Sequence, residues 1–334
     1  MNAKTIVLFN HKGGVSKTLT TYNLAWMLSA NKGKKVLMVD CDPQCNLTGL
    51  MLGEDFDDYY TNPTTKNANI KDATKAAFDG KPQPIVAIDC WSLTSNPNLF
   101  LIPGHMDLSE YDPPLSLSMN SNNSFSTLQN LPGAFSKLIG LCCLKYSIDY
   151  VFIDVNPGLS AINEIVFVIS DAFIVPTNPD PFSLMALRTL VKILPRWKKW
   201  AEQSRELFTE ASYPLPNTQM KFLGEICQRF NRRNGKPTAS FEKTIQDITS
   251  YISGDFVKEL ARYDMVFPLQ NYHLADIPDF GALLQNANKK MVPVYALKDK
   301  DIPGGATLKN TTEKRDEIFK IFSDVADIIL ENVK

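Results

Sequence analysis

The stretch NHKGGVSKT, residues 10–18, follows a short apolar run, TIVLF. A loop that binds phosphate must aim backbone N–H groups at the oxygens, at a helix N-terminus, with a lysine in reach. Gly13 and Gly14 let the backbone approach closely, and Val15 and Ser16 carry the loop to the helix. Lys17 is placed for β- and γ-phosphates, and Thr18 offers a hydroxyl to Mg2+ at the first helical turn. The usual P-loop, G-x-x-x-x-G-K-[ST], asks for glycine where His11 and Ser16 stand. A serine fits there if its backbone is not strongly left-handed. Lys12 is a second cation that the pattern does not require.

Carboxylates supply the other half of the chemistry. VDCDPQ, residues 39–44, ends an apolar run with Asp40 and Asp42. Strand residues two apart share a face, so both carboxylates point the same way. They lie beside the loop if the first two strands are neighbours. Aimed at a phosphate they would repel it, so they make sense only with Mg2+ or with a water to orient. VFIDVNPG, residues 151–158, ends another apolar strand in Asp154, the pattern of a Mg2+-holding Walker-B carboxylate.

These residues need a frame that brings strand ends together. Apolar runs at 4–10, 34–40, 98–104, 146–155, 171–177 and 220–230 alternate with amphipathic stretches such as 17–33. Runs apolar along their length suit strands covered on both faces, and the alternation predicts βαβ units. The expected fold is α/β: a mostly parallel, doubly wound sheet flanked by helices, with ligands at the C-terminal strand edge. Polar or proline-rich segments near 54–69, 111–126 and 211–219 read as surface insertions in a single domain spanning 1–334.

Composition excludes several classes. The 334 residues are 44% hydrophobic and 21% charged with net charge -1, so any nucleic-acid or lipid contact needs a local patch. The six cysteines form no C-x-x-C and have no histidine cluster, which reads as reduced thiols rather than a metal centre. The N-terminus shows no signal peptide, and the run at 164–176 is interrupted by Asp171, so the chain is expected to be soluble and cytoplasmic.

KGGVSKT, VLMVDCDPQCNLT and YVFIDVNPGL resemble the three nucleotide motifs of the ParA/MinD group, the deviant Walker-A ATPases. Further similarity lies in DAFIVPTNPDPFSLMALRTLVKIL, YHLADIPDFGALL and FSDVADIILENV, for roughly 250 residues in all. The resemblance implies ATP and Mg2+ as cofactors. It gives Thr18 and Asp154 to the metal, Asp40 to its supporting shell, and Asp42 to the attacking water. Lys17 and Lys12 neutralise phosphate charge, Lys12 by reaching across an ATP-dependent homodimer. Leu19 stands where many members have threonine near the α-phosphate, and its backbone N–H would serve. Gln228 stands where some members use asparagine near adenine, and Pro268 falls near a proline that packs on the base. Val155, Asn156 and Pro157 replace the usual Thr-Pro-Pro after the Walker-B aspartate.

Three branches follow from the resemblance. A ParA-type partition ATPase would bind DNA without sequence preference and be reset by a ParB-like partner, with slow hydrolysis between. Basic stretches at 196–200, with Arg188 and Lys192 upstream, and at 229–236 suit it, with aromatics interleaved. No helix-turn-helix segment precedes the first strand, so operator reading is not expected. A MinD-like membrane ATPase needs a basic amphipathic C-terminal helix. The tail instead mixes Ile318, Ile321, Phe322, Val325, Ile328 and Ile329 with acidic residues, the pattern of a docked core helix. The third branch is an amidoligase-type enzyme on the same fold, which generally lacks the lysine at position 12.

Overall fold

The computed structural model describes residues 3–120, 126–230, 232–233, 236–237, 239–302 and 308–334. Among the described residues there are ten strands: β1 (Lys4–Leu8), β2 (Val36–Cys41), β3 (Trp91–Leu93), β4 (Asn96–Ile102), β5 (Tyr150–Val155), β6 (Ala172–Thr177), β7 (Lys221–Phe230), β8 (Arg232–Arg233), β9 (Lys236–Pro237) and β10 (His273–Pro278). The helices are α1 (Lys17–Trp26), α2 (Asn46–Leu52), α3 (Phe56–Thr61), α4 (Ile70–Phe78), α5 (Asp112–Asn120), α6 (Ala134–Tyr146), α7 (Ala161–Val168), α8 (Pro181–Leu207), α9 (Ala239–Tyr251), α10 (Val257–Ala261), α11 (Ala282–Lys290) and α12 (Leu308–Asn332).

Eight strands make one sheet in the order β10-β7-β6-β1-β5-β2-β4-β3, parallel except for the β3–β4 pair; β8 and β9 form a separate hairpin. The doubly wound α/β expectation therefore holds. The strand order corrects one premise: β1 and β2 are not neighbours, because β5 lies between them. The consequence favours the site. Parallel register sets Asp40 directly against Asp154, and β1 pairs with β5 on its other side.

β2, β5 and β6 are buried at every position, as strands covered on both faces must be. Their pleat divides the core. Val7, Phe9, Val39, Ile153 and Val175 face one layer, while Ile6, Leu8, Met38, Phe152 and Ile174 face the other. The second layer includes α12, through Ile318, Phe322, Val325 and Ile329. The tail is thus a docked core helix, and its apolar stripe is occupied by the protein itself. Among the described residues, no helix is long and apolar enough to cross a membrane.

Local chemistry fixes where helices begin. Asn69 accepts from Lys71 N and Asp72 N to start α4, and Ser160 accepts from Asn163 N to start α7. Asp180 caps α8 with Pro181 in the first helical turn. Two of the three insertions are more ordered than their composition suggests. Residues 54–69 include α3, whose Tyr59 is buried and whose Tyr60 hydroxyl donates to Gly104 O (2.6 Å). Residues 111–126 include α5, with Pro113 and Pro114 in its first turn, where proline costs no hydrogen bond; residues 121–125 lie outside the described set. Residues 211–219 carry no regular element, but the Tyr213 hydroxyl accepts from Ile85 N (3.1 Å). All six cysteines are free, and all but Cys90 are buried.

Candidate nucleotide site

The loop between β1 and α1 is braced by the neighbouring strand. Phe9 N donates to Ile174 O (2.9 Å), and Asn10 Nδ2 donates to Pro176 O (2.8 Å), both on β6. Asn10 Oδ1 then accepts from Lys12 N (3.0 Å). Gly14 is left-handed, at φ 72°, and so is Ser16, at φ 55° and ψ 32°. The sequence reading allowed Ser16 only if it avoided that region. Instead the loop keeps the geometry of the glycine it lacks, at a cost of about 1 kcal/mol. Strain of this size persists where both ends of a loop are held.

Lys17 is only 6% exposed. Its ammonium donates to Asn10 O (3.0 Å) and Lys12 O (3.2 Å), within the loop's own curve. Burial lowers its pKa, while Asp154 and Asp42 pull it back up. Thr18 is half-buried beside it, and no acidic side chain sits in the first turn of α1 to oppose an anion.

The three aspartates differ in how their oxygens are used. Asp40 is fully buried and engaged: Thr48 N and Oγ1 donate to Oδ2 (2.8 and 2.7 Å), and Asp42 N donates to Oδ1 (3.1 Å). Burial raises it to about 6 against those hydrogen bonds. Its carboxylate organises the turn that presents Asp42 and starts α2. Asp42 keeps one hydrogen bond, from Gln44 N to Oδ1 (2.9 Å), and lines the cleft. Burial pushes its carboxyl upward, with Gln44 and Lys17 drawing it down.

Asp154 is fully buried, and neither oxygen makes a hydrogen bond of acceptable geometry. Burial pushes it well above the usual carboxylate range and Asp40 adds to this; the nearby Thr18 hydroxyl and Lys17 favour the charged form. An uncompensated buried carboxylate is expensive unless a cation arrives. A threonine hydroxyl beside orphaned carboxylate oxygens is an all-oxygen donor set, which suits Mg2+.

A cleft of about 450 Å³ opens over these groups. Gly14, Val15, Ser16, Lys17, Thr18 and Leu19 form its floor, with Asp42 and Pro157 on its rim. Gly13 is exposed and lies 3.6 Å, at its missing Cβ, from Pro157. Gln44, Asn46 and Leu50 from the α2 region, and Leu284 and Asn288 from α11, complete the wall. Sequence reasoning missed these five, although Leu284 closes the segment YHLADIPDFGALL that carried family resemblance. Two assigned residues are not brought to the cleft. Gln228 is buried on β7, where its Nε2 donates to Thr20 Oγ1 (2.6 Å), and it does not line the cleft. Pro268 is exposed and lines no part of this wall.

Lys12 points the other way from Lys17. Its ammonium pairs with Asp180 and donates to Ser183 Oγ (3.2 Å) at the start of α8. Further along α8, Lys192, Arg196 and Lys199 join Lys258 and Arg262 around a groove of about 680 Å³ that also includes Asp255 and Glu259. The interleaved tryptophans are structural: Trp197 is buried against Phe9 (5.4 Å between rings), and Trp200 Nε1 donates to Met119 O (3.1 Å). Lys198 is also withdrawn, donating to Tyr263 O (2.8 Å). The basic stretch at 229–236 lies outside the residues whose side chains are described.

A strand–loop–helix phosphate cradle, with a lysine in its curve and aspartates at adjoining parallel strand ends, defines a P-loop nucleotide-binding protein. Comparison with known proteins makes the class narrower. The family model described as AAA domain (AAA_31) matches residues 3–206. The chromosome partitioning protein ParA of Caulobacter vibrioides is 26% identical over 296 residues, covering 88% of each chain. Among solved structures, an ATP complex of Cyanothece McdA has a TM-score of 0.59 at 20% identity, covering 98% of this chain and 96% of that one. The structure of pNOB8 ParA bound to nonspecific DNA has a TM-score of 0.58 at 19% identity, covering 98% of each. The chain belongs to the ParA/MinD-type P-loop ATPases.

Proposed function

We propose that this protein is a partition-type ATPase switch: it binds ATP with Mg2+, closes against a second copy, holds DNA without sequence preference, and resets on slow hydrolysis. The observation that carries the nucleotide part is the convergence of Lys17, Thr18 and Asp42 on one cleft, with the unpartnered Asp154 carboxylate at the adjoining strand end.

In this reading the backbone from Gly13 to Leu19 cradles the phosphates at the α1 N-terminus. Lys17 turns from the carbonyls of Asn10 and Lys12 to the β- and γ-phosphate oxygens. Thr18 and Asp154 would hold Mg2+, which neutralises charge on the transferring phosphoryl group. No group of three His, Cys, Asp or Glu side chains among the described residues forms a protein-only metal cage. Mg2+ would therefore share its shell with nucleotide oxygens and water, as is usual for this ion. Asp42, held by Gln44 N and through its own N–H by Asp40, orients the attacking water. Leu284 and Asn288 stand where Gln228 and Pro268 were expected to meet the base. Lys12 serves the partner copy's phosphates.

DNA retention is supported by the α8–α10 groove, whose five cations outnumber its two acids, and by the relative solved on nonspecific DNA. A ParB-like protein would accelerate the reset. Titration with a fluorescent ATP analogue and Mg2+ tests the core of this reading. Lys17→Ala should weaken binding by about 100-fold, the loss of a buried charge-assisted contact to phosphate. Undiminished binding would refute the loop assignment.

A further inference from the structure

The start of α8 is tied to the phosphate loop at two points. Asn178 Nδ2 donates to Gly14 O (3.1 Å), and the Lys12 ammonium is held by Asp180 and Ser183 Oγ. Asp180 does two jobs at once. Its Oδ1 accepts from Ser183 N (2.8 Å) to cap α8, while its Oδ2 takes the lysine. Ser183 Oγ is in turn fixed by accepting from Asn178 N (3.0 Å). The lysine and aspartate side chains are 18% and 32% exposed, so the pair is partly shielded from water rather than a loose surface contact. On the same turn of α8, Phe182 and Met185 are 67% and 61% exposed, an apolar surface that this chain leaves uncovered.

From this geometry we infer that Asp180 is a positioning residue that latches Lys12 within its own subunit until a second copy presents a phosphate. The inference rests on the proposed role of Lys12 across a homodimer. An ammonium bound to Asp180 and Ser183 is not available to another subunit, so closure must break this pair and exchange one anion for another. The fraction of chains with Lys12 released then divides directly into the apparent affinity for dimerisation. The apolar Phe182 and Met185 flank the latch, so a copy docking on this turn would cover them as the lysine changes partner.

The test uses Asp180→Asn, which removes the charge but keeps a good helix cap. Two measurements separate the latch from the dimer. The first is the rate of acylation of Lys12 by a soluble amine reagent in the nucleotide-free protein, read by peptide mass spectrometry. Asp180→Asn should raise that rate by about three- to tenfold, the worth of a partly buried charge-assisted pair, with other lysines unchanged. An unchanged rate overturns the latch, whatever the oligomeric state. The second is the ATP concentration at half-maximal dimer, by sedimentation with Mg2+. It should fall by a similar factor in Asp180→Asn. A rise in that concentration means Asp180 assists Lys12 in the closed state, and the inference fails. If wild-type protein stays monomeric at saturating ATP, the dimer reading fails, and the acylation result still decides the latch.

Discussion

At the residue scale, Asp40 and Asp42 show how two identical side chains, two positions apart, acquire different work. Asp40 has three hydrogen bonds and no exposure; Asp42 has one and faces the cleft. Asp40→Ala leaves the Thr48 hydroxyl and the Asp42 amide without their acceptor, and should cost about 2–3 kcal/mol in urea unfolding. Asp42→Ala should change stability by less than about 1 kcal/mol yet abolish ATP hydrolysis with binding retained. Equal destabilisation by both would contradict the division. That Lys17, Thr18, Asp42 and Asp154 would gather at one edge of the sheet was legible in the sequence, because each ends a strand or follows the glycine loop. Gln228 was named through resemblance alone, and its bond to Thr20 on α1 is a long-range contact that no local pattern announces. The sequence could not anticipate that Ser16 would take a glycine's backbone, since φ is set by the anchoring of the loop to β6 through Asn10 and Phe9.

At the element scale, β7 and β10 are joined by a polar cluster around the buried Glu225. His273 Nδ1 meets Glu225 Oε2 at 2.7 Å, and its Nε2 faces Asp276 Oδ1 at 3.4 Å; Thr177 Oγ1 donates to the other Glu225 oxygen. Burial alone would lower the imidazole, but Asp276 and Glu225 outweigh it and push it up to about 10. A pKa raised on folding stabilises fully below the unfolded value of 6.5, and the benefit is lost as pH rises through about 10. Glu225, itself raised by burial, acts in the same sense at lower pH. Unfolding free energy should therefore decline between pH 6.5 and 10, and His273→Gln should flatten that slope. An unchanged slope in the variant would assign the pH dependence elsewhere. The α8–α10 groove belongs to this scale too. Lys192→Glu with Arg196→Glu should reduce the salt dependence of DNA retention by about two units of slope without altering ATP binding. A retained slope would move DNA contact to another face.

At the scale of the whole molecule, the order of the strands decides what the site is. An α/β class was legible from apolar runs alternating with helical stretches, but the insertion of β5 between β1 and β2 depends on crossovers that no local pattern encodes. That insertion sets Asp40 beside Asp154 and brings both strand ends under one loop. The wall given by Leu284 and Asn288 arrives from α11, whose docking is fixed by the core layer it shares with α12. Such long-range returns are legible only once the fold is known. The same scale holds the central claim, that nucleotide closes two copies through Lys12. Sedimentation of Asp42→Ala with Mg2+ and ATP tests it most directly, because hydrolysis is then removed. The account predicts a dimer with ATP, a monomer with ADP, and loss of the ATP dimer when Lys12→Ala is added. A monomer under all conditions, or a dimer indifferent to Lys12, would contradict it.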